Sequence, residues 1–140
     1  MPGFRLLERE AVIGRGDAHW SAATSAILRW EIKTRSGFRV EGAVEEGADV
    51  TIIALGFIRE PVRVVYVIDE PDRCGYAYGT RRGHPLRGEE LFVLERRGTD
   101  TVLRIRSFSR PAGVWWLVAP VLRTAQYIVL RRYLVALKGL

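Results

Sequence analysis

A chain of 140 residues, 48% hydrophobic and 27% charged, has the size and composition of one globular domain and is unlike a disordered segment. The net charge of +6 comes mostly from arginines scattered from Arg5 to Arg132; they form no basic run, and no nucleic-acid partner is expected. A lone cysteine, Cys74, excludes an intramolecular disulfide, and charges stand in "MPGFRLLERE" where a signal peptide needs an apolar run, so a reducing, cytoplasmic setting is expected.

Residues 4–13, "FRLLEREAVI", read as a first strand that "GRGD" interrupts. Asp17 is a suitable N-cap, because its carboxylate can accept hydrogen bonds from the free amides of a first helical turn. The following "AHWSAATSAILRWEI" is predicted helical: Trp20, Ala23, Ile27 and Trp30 recur at three- and four-residue spacing and make one apolar stripe.

After "TRSG" the hydrophobic period changes to two. Strands are predicted at 38–43, 50–58, 62–70, 74–80, 90–97 and 101–109, punctuated by Gly47, Pro61, Pro71-Asp72, the Gly83 to Gly88 loop and Gly98. Val62, Val64, Tyr66 and Ile68 are expected on one face, with Arg63 and Asp69 on the other. Tyr76, Tyr78 and Thr80 share a face by the same rule, as do Glu90, Phe92 and Leu94. In the last strand Leu103, Ile105, Ser107 and Ser109 oppose Arg104 and Arg106.

The tail from Pro111 is apolar and predicted helical, bent or interrupted at Pro120. Residues 112–130 are long enough to cross a bilayer. Arg123 stands near their middle, however, and a central arginine costs about 2.5–3.5 kcal/mol on insertion. A long, broad-faced helix packed on the sheet is therefore expected. Adjacent Trp115 and Trp116 cannot both face inward from a regular helix, so one of them should be exposed, at a cavity mouth, an interface or a membrane surface.

Strand, helix, six strands and a long helix make an α+β fold, in a single domain spanning residues 1–140. About seven antiparallel strands curved around the C-terminal helix would leave a ligand cavity between sheet and helix. The residues that carry a family resemblance lie in the same elements. "GYAYGTRRGHPLRGEELFVLER", "IRSFSRPAG" and "RRYLVAL" resemble uncharacterised protein family 0548, also catalogued as the domain of unknown function numbered nineteen-ninety. The match runs through Tyr76 to Thr80, Gly83 to Pro85, Gly88 to Glu90 and Phe108 to Pro111, with support from "GRGDAHWSAATSAILRW" and "PVRVVYVIDEP". Arg81 and Arg82 stand where the family commonly has Leu-Pro, and an N-terminal extension common in the family is not evident in this chain. The resemblance implies a START-like, or helix-grip, fold with a hydrophobic cavity, and no established activity.

The candidate site residues follow from those faces. Tyr76, Tyr78, Thr80, Glu90, Phe92, Ser107, Ser109 and Arg110 are candidate ligand contacts. Glu90, at the rim of an apolar pocket, is a candidate general acid or base; the alternative is a structural ion pair with Arg81, Arg82 or Arg110. His84 has two roles open to it, a proton shuttle or a hydrogen bond that holds the hairpin. Arg110, at the start of the long helix, should need a negative partner, either Glu89 or Glu90 or an anionic ligand. No ligand-spaced cluster suggests a metal, no cofactor is implied, and Gly14 to Gly16 is not a dinucleotide fingerprint.

Three functions are consistent with these residues. The first is a cytoplasmic protein that binds a small hydrophobic or amphipathic molecule. The second is a cyclase, dehydratase or isomerase using Glu90, His84 and Tyr78. The third is a module that docks peripherally on a membrane or a protein through the Trp115-Trp116 helix.

Overall fold

Alternation of apolar and polar residues builds one seven-stranded antiparallel sheet in the computed structural model, which describes residues 4–140. Its strands are β1 (Arg5–Arg15), β2 (Arg39–Glu41), β3 (Asp49–Ala54), β4 (Ile58–Asp69), β5 (Arg73–Thr80), β6 (Leu86–Arg97) and β7 (Asp100–Pro111). The order across the sheet is β1-β7-β6-β5-β4-β3-β2. The chain therefore meanders from β2 to β7, and β1 closes the far edge by pairing with β7. The helices α1 (Gly16–Ile27) and α2 (Glu31–Thr34) carry it from one edge of the sheet to the other. A 3-10 turn, Gly113–Val118, leads into the C-terminal helix α3 (Ala119–Val135). The fold is α+β: a curved antiparallel sheet with a long C-terminal helix, as expected.

Side chains on a strand alternate between faces, so one face collects the apolar set. Cys74, Tyr76, Tyr78, Phe92, Leu94, Leu103 and Ile105 lie there, all at most 1% exposed. Trp20, Ala23, Ile27 and Trp30 pack on them from the α1 side, and Leu130, Tyr133 and Leu137 from the C-terminal side. On other strand faces the arginines are spent on carboxylates: Arg104 pairs with Glu8, and Arg97 with Glu10 and Glu95. This disperses the basic charge of the sheet.

Four expectations are corrected. Asp17 does not cap α1. The helix starts at Gly16, whose φ of 85° suits glycine, Arg15 is the flanking residue, and Asp17 pairs with Arg96 of β6. The turn between β3 and β4 falls at Leu55 and Gly56, not at Pro61. Both adopt left-handed torsions (φ 53° and 80°) in the three-residue loop between the paired Ala54 and Ile58, and Pro61 lies inside β4 opposite Thr51. The β4–β5 register shifts between Val64 and Tyr66, so Tyr66 turns outward (42% exposed) and Val67 packs against the core in its place. Finally, α3 does not bury a broad face. Within it only Leu130 and Tyr133 are buried. Pro120 sits in its first turn, where a missing N–H costs nothing, so the break falls at the helix start.

Candidate functional site

The space expected between sheet and helix is present as a cavity of about 250 Å³. Leu7, Glu60, Glu90, Ile105 and Ser107 line it from the strands, and Leu122, Ala125, Gln126, Val129, Leu130 and Tyr133 from α3. The β3–β4 turn adds Leu55, the β5–β6 loop adds His84 and Pro85, and the segment around α2 adds Lys33, Ser36 and Phe38. Trp115 also faces this space, whereas Trp116 is 45% exposed, so one of the tandem tryptophans turns in and the other out.

Lys33 is the central side chain. Trp30 leaves α1 with a left-handed torsion (φ 64°), and the chain turns there into the short α2 that carries Lys33 inward. Lys33 is 1% exposed. Its Nζ donates to Tyr78 Oη at 2.6 Å and to Tyr133 Oη at 2.7 Å. The rings of Tyr133, Phe92, Tyr78 and Phe38 surround it, with centroids 4.4, 4.9, 5.1 and 5.5 Å away. Burial pushes its pKa below the ordinary lysine value, and the negative charges of Glu90 and Glu60 oppose the shift.

Two carboxylates share the cavity wall. Glu60 is half-buried; burial raises its carboxyl to about 7, against the pull of Lys33 and with the repulsion of Glu90. Glu90 sits in a cross-strand row, paired with Tyr78 of β5 on one side and Ser107 of β7 on the other. Among the described residues it forms no ion pair with Arg81, Arg82 or Arg110; Arg81 instead reaches Asp49 at 3.5 Å. Burial holds the phenols of Tyr78 and Tyr133 well above the ordinary tyrosine pKa, so both stay protonated at neutral pH.

The other expected residues divide by position. Ser107 lines the cavity. Tyr76 and Phe92 lie behind it in the aromatic core, stacked with centroids 5.4 Å apart, and the Tyr76 hydroxyl has no hydrogen-bond partner among the described residues. Thr80 Oγ1 accepts the Gly88 N–H at 3.0 Å and so pins the hairpin. Gly88 itself is required there: a Cβ would fall on the Phe108 carbonyl oxygen, and its φ is 150°. Ser109 accepts from Gln126 Nε2 at 3.0 Å, which ties α3 to β7. Arg110 lies in β7, ahead of the helix, and stacks over the Phe4 ring at 4.9 Å; neither Glu89 nor Glu90 pairs with it.

His84 makes a hydrogen bond of the kind its structural role requires. Its Nδ1 accepts the Leu86 N–H at 2.9 Å and holds the hairpin turn. Burial, with a contribution from the nearby Lys33 charge, lowers its pKa to about 3. Burial thus favours its neutral form at physiological pH. Cys74 is buried, and its thiol is pushed up to about 11 by burial, which makes it a poor nucleophile. Among the described residues, no three of His, Cys, Asp and Glu converge as metal ligands.

Sequence reasoning missed Lys33, Glu60 and Tyr133. One signal for Lys33 was available: it is one of two lysines in a chain that otherwise uses arginine for its positive charge. Glu60 precedes Pro61, and its inward face was hidden by placing a strand break there. Tyr133 belongs to the "RRYLVAL" motif without any local mark of its role.

The family model described as a domain of unknown function, DUF1990, matches residues 1–136. A UPF0548 protein of Deinococcus radiodurans is 33% identical over 117 residues, covering 71% of this chain and 59% of that protein. A UPF0548 protein of Arabidopsis thaliana is 32% identical over 122 residues, covering 79% of this chain and 60% of its own length. The matched region thus spans about three fifths of these relatives. Among solved structures, the hypothetical protein jhp0584 of Helicobacter pylori superposes with a TM-score of 0.71 at 12% identity, over 95% of this chain and 85% of that one. Norcoclaurine synthase of Thalictrum flavum, in complex with dopamine and hydroxybenzaldehyde, gives a TM-score of 0.59 at 10% identity, over 94% of this chain and 84% of that one. At such identities the likeness is one of fold.

Proposed function

The chain belongs to the DUF1990 family, and from that premise we propose that it holds a small amphipathic molecule in the cavity between sheet and α3. Lys33 is the observation that carries the reading. A nearly solvent-free amine lines an otherwise mostly apolar cavity, with two of its positions taken by phenol oxygens. Protein interiors rarely hold such a group without use for it. An occupant with an apolar body and one polar group would meet Leu7, Ile105, Leu122 and Val129 with the first and the Lys33, Glu60 and Glu90 cluster with the second. At about 250 Å³ the space suits a small molecule, just below the roughly 300–1,000 Å³ of most ligand pockets. That the structure of norcoclaurine synthase contains two small aromatic molecules supports a cavity role for this fold. The reducing, cytoplasmic setting expected from a single cysteine remains part of the proposal.

Native mass spectrometry of the purified protein, followed by extraction of any bound molecule, is the test. A discrete co-purifying small molecule, lost in Lys33→Met, is the expected result. Protein that carries no ligand and shows no thermal shift with any member of a panel of small aromatic and aliphatic alcohols, aldehydes and acids would overturn the reading.

One observation favours a second reading, docking on an anionic membrane surface. Val114, Leu117, Val121 and Ile128 of the C-terminal segment are exposed, as are Leu55 and Phe57 of the β3–β4 turn. Leu55 and Leu122 line the same cavity, which brings the turn and the helix to its mouth. No acidic residue follows Asp100, while Arg123, Arg131, Arg132 and Lys138 accompany the helix. An apolar face flanked only by cations complements an anionic bilayer. Gly113–Val135 is also long and apolar enough to cross a membrane, by length and composition.

A further inference from the structure

We propose that Lys33 is an amine nucleophile that condenses with the carbonyl group of an aldehyde or ketone bound in the cavity, with Glu60 carrying the proton. This rests on the cavity reading above and adds a reaction to it.

The geometry is that of a held amine. A buried ammonium that serves only the fold is normally seated on a carboxylate, because the desolvated charge needs one. Lys33 forms no such pair among the described residues. Its two hydrogen-bond partners among the described residues are the neutral phenols of Tyr78 and Tyr133, from β5 and α3. An uncharged amine that donates both its N–H bonds to those oxygens keeps its lone pair for a third direction. The residue lines the cavity, so a bound carbonyl carbon is what that lone pair can reach. The carboxylates act from the cavity wall: Glu60 and Glu90 both line it, and neither is spent on an arginine among the described residues. The lowered pKa of Lys33 and the raised pKa of Glu60 agree with this arrangement, since they favour a free amine and a protonated acid near neutral pH.

The step balances without an oxidant or reductant. The nitrogen lone pair attacks the carbonyl carbon, and the C=O π electrons move to oxygen. That oxygen takes a proton from Glu60, and the nitrogen returns one to the Glu60 carboxylate, which leaves a carbinolamine. Glu60 then protonates the hydroxyl, which departs as water while the nitrogen lone pair forms the C=N bond of an iminium, and the iminium nitrogen returns its remaining proton to the Glu60 carboxylate. One amine and one carbonyl give one imine and one water, and hydrolysis reverses the sequence.

The chain supplies its own control, because Lys138 is the other lysine and is exposed. The protein is incubated near pH 7.5 with benzaldehyde or hexanal and sodium cyanoborohydride, and the reduced adducts are located by peptide mass mapping. We expect Lys33 to be alkylated at least about tenfold faster than Lys138, although it is buried. Glu60→Gln should slow labelling of Lys33 by about tenfold and leave Lys138 unchanged. Lys33→Arg, which keeps a cation at this position and cannot form an imine, should lose the adduct. Equal or faster labelling of Lys138, or an unmodified Lys33, overturns the proposal. Benzyl alcohol and 1-hexanol, which cannot condense, separate the two readings. If they raise Tm while Lys33 stays unlabelled, the nucleophile is wrong and the binding cavity stands. If neither alcohols nor aldehydes shift Tm and Lys33 is unlabelled, both fall.

Discussion

Tyr133 and Lys33, a hundred positions apart in the chain, meet at 2.7 Å between Oη and Nζ. The contact ties α3 to α2, and through Tyr78 on the same Nζ it ties both to the sheet. Since α3 buries little besides Leu130 and Tyr133, this one polar contact does much to fix the roof of the cavity. Tyr133→Phe keeps the ring and removes the acceptor. It should cost about 1–2 kcal/mol in urea denaturation, the size of a buried hydrogen bond lost on one side. It should also lower the pKa of Lys33 further, because an acceptor stabilises the ammonium more than the amine. Cyanoborohydride labelling of Lys33 would then begin at a lower pH than in the unmodified protein. Unchanged stability would mean that the contact does not hold α3.

Glu60 and His84 give the protein two opposed pH dependences. The Glu60 carboxyl is raised from 4.5 to about 7, so between those values the folded state binds more protons than the unfolded one. Its contribution to stability is therefore present below pH 4.5 and is lost as pH rises through 7. His84 is lowered from 6.5 to about 3, so between those values the unfolded state binds more protons. Its effect is loss of stability as pH falls from 6.5 toward 3. Within the shared window the two partly cancel. His84→Asn keeps an acceptor for the Leu86 N–H and removes the titration. Relative to the unmodified protein it should gain stability at pH 5 compared with pH 8, by about 1–2 kcal/mol. Glu60→Gln should do the reverse and gain more at pH 8 than at pH 5. Parallel Tm–pH curves for all three proteins would contradict the burial of both groups.

The Tyr76 hydroxyl is buried in the aromatic cluster and has no hydrogen-bond partner among the described residues. A desolvated, unpaired hydroxyl costs about 1–3 kcal/mol. Tyr76→Phe removes it and leaves the packing against Phe92 and Trp30 intact. The variant should be as stable as the unmodified protein or more stable, by up to about 2 kcal/mol. A loss of stability would show that the hydroxyl has a use in the core.

The strand faces were legible because alternation is a local signal. Leu103, Ile105, Ser107 and Ser109 came out buried together, and Glu90, Phe92 and Leu94 turned inward together. What could not be read depended on distant partners. Asp17 has the chemistry of a cap, yet Arg96 on a remote strand claims its carboxylate. The bulge at Val65 inserts one residue and carries no periodic mark, so the faces of Tyr66 and Val67 were exchanged. Lys33 has the same limit in sharper form. In "RWEIKTRSG" it stands among polar neighbours, and its burial is imposed by Tyr78 and Tyr133, 45 and 100 positions away. Half of the candidate site, Tyr78, Glu90 and Ser107, lay in one alternating pattern across three strands. The other half exists only once α2, β4 and α3 are folded around it.

The apolar face of the C-terminal segment gives the last prediction. Leu117, in the 3-10 turn, is 86% exposed and Val121, at the start of α3, 67%, more than solubility alone would favour for such side chains in one segment. With no acid after Asp100, the segment should be attracted to anionic lipid by charge and held there by apolar insertion. The protein should co-float with phosphatidylglycerol-containing vesicles at low salt and not with pure phosphatidylcholine vesicles. Binding should weaken steeply as salt approaches physiological strength, because the screening length falls to about 8 Å. A Leu117→Asp, Val121→Asp double variant should lose flotation while keeping its Tm, since neither side chain is buried. If flotation with anionic vesicles fails at low salt, the exposed face is not a membrane surface. Flotation that survives the double variant would mean that charge alone holds the protein and that the helix face has another use.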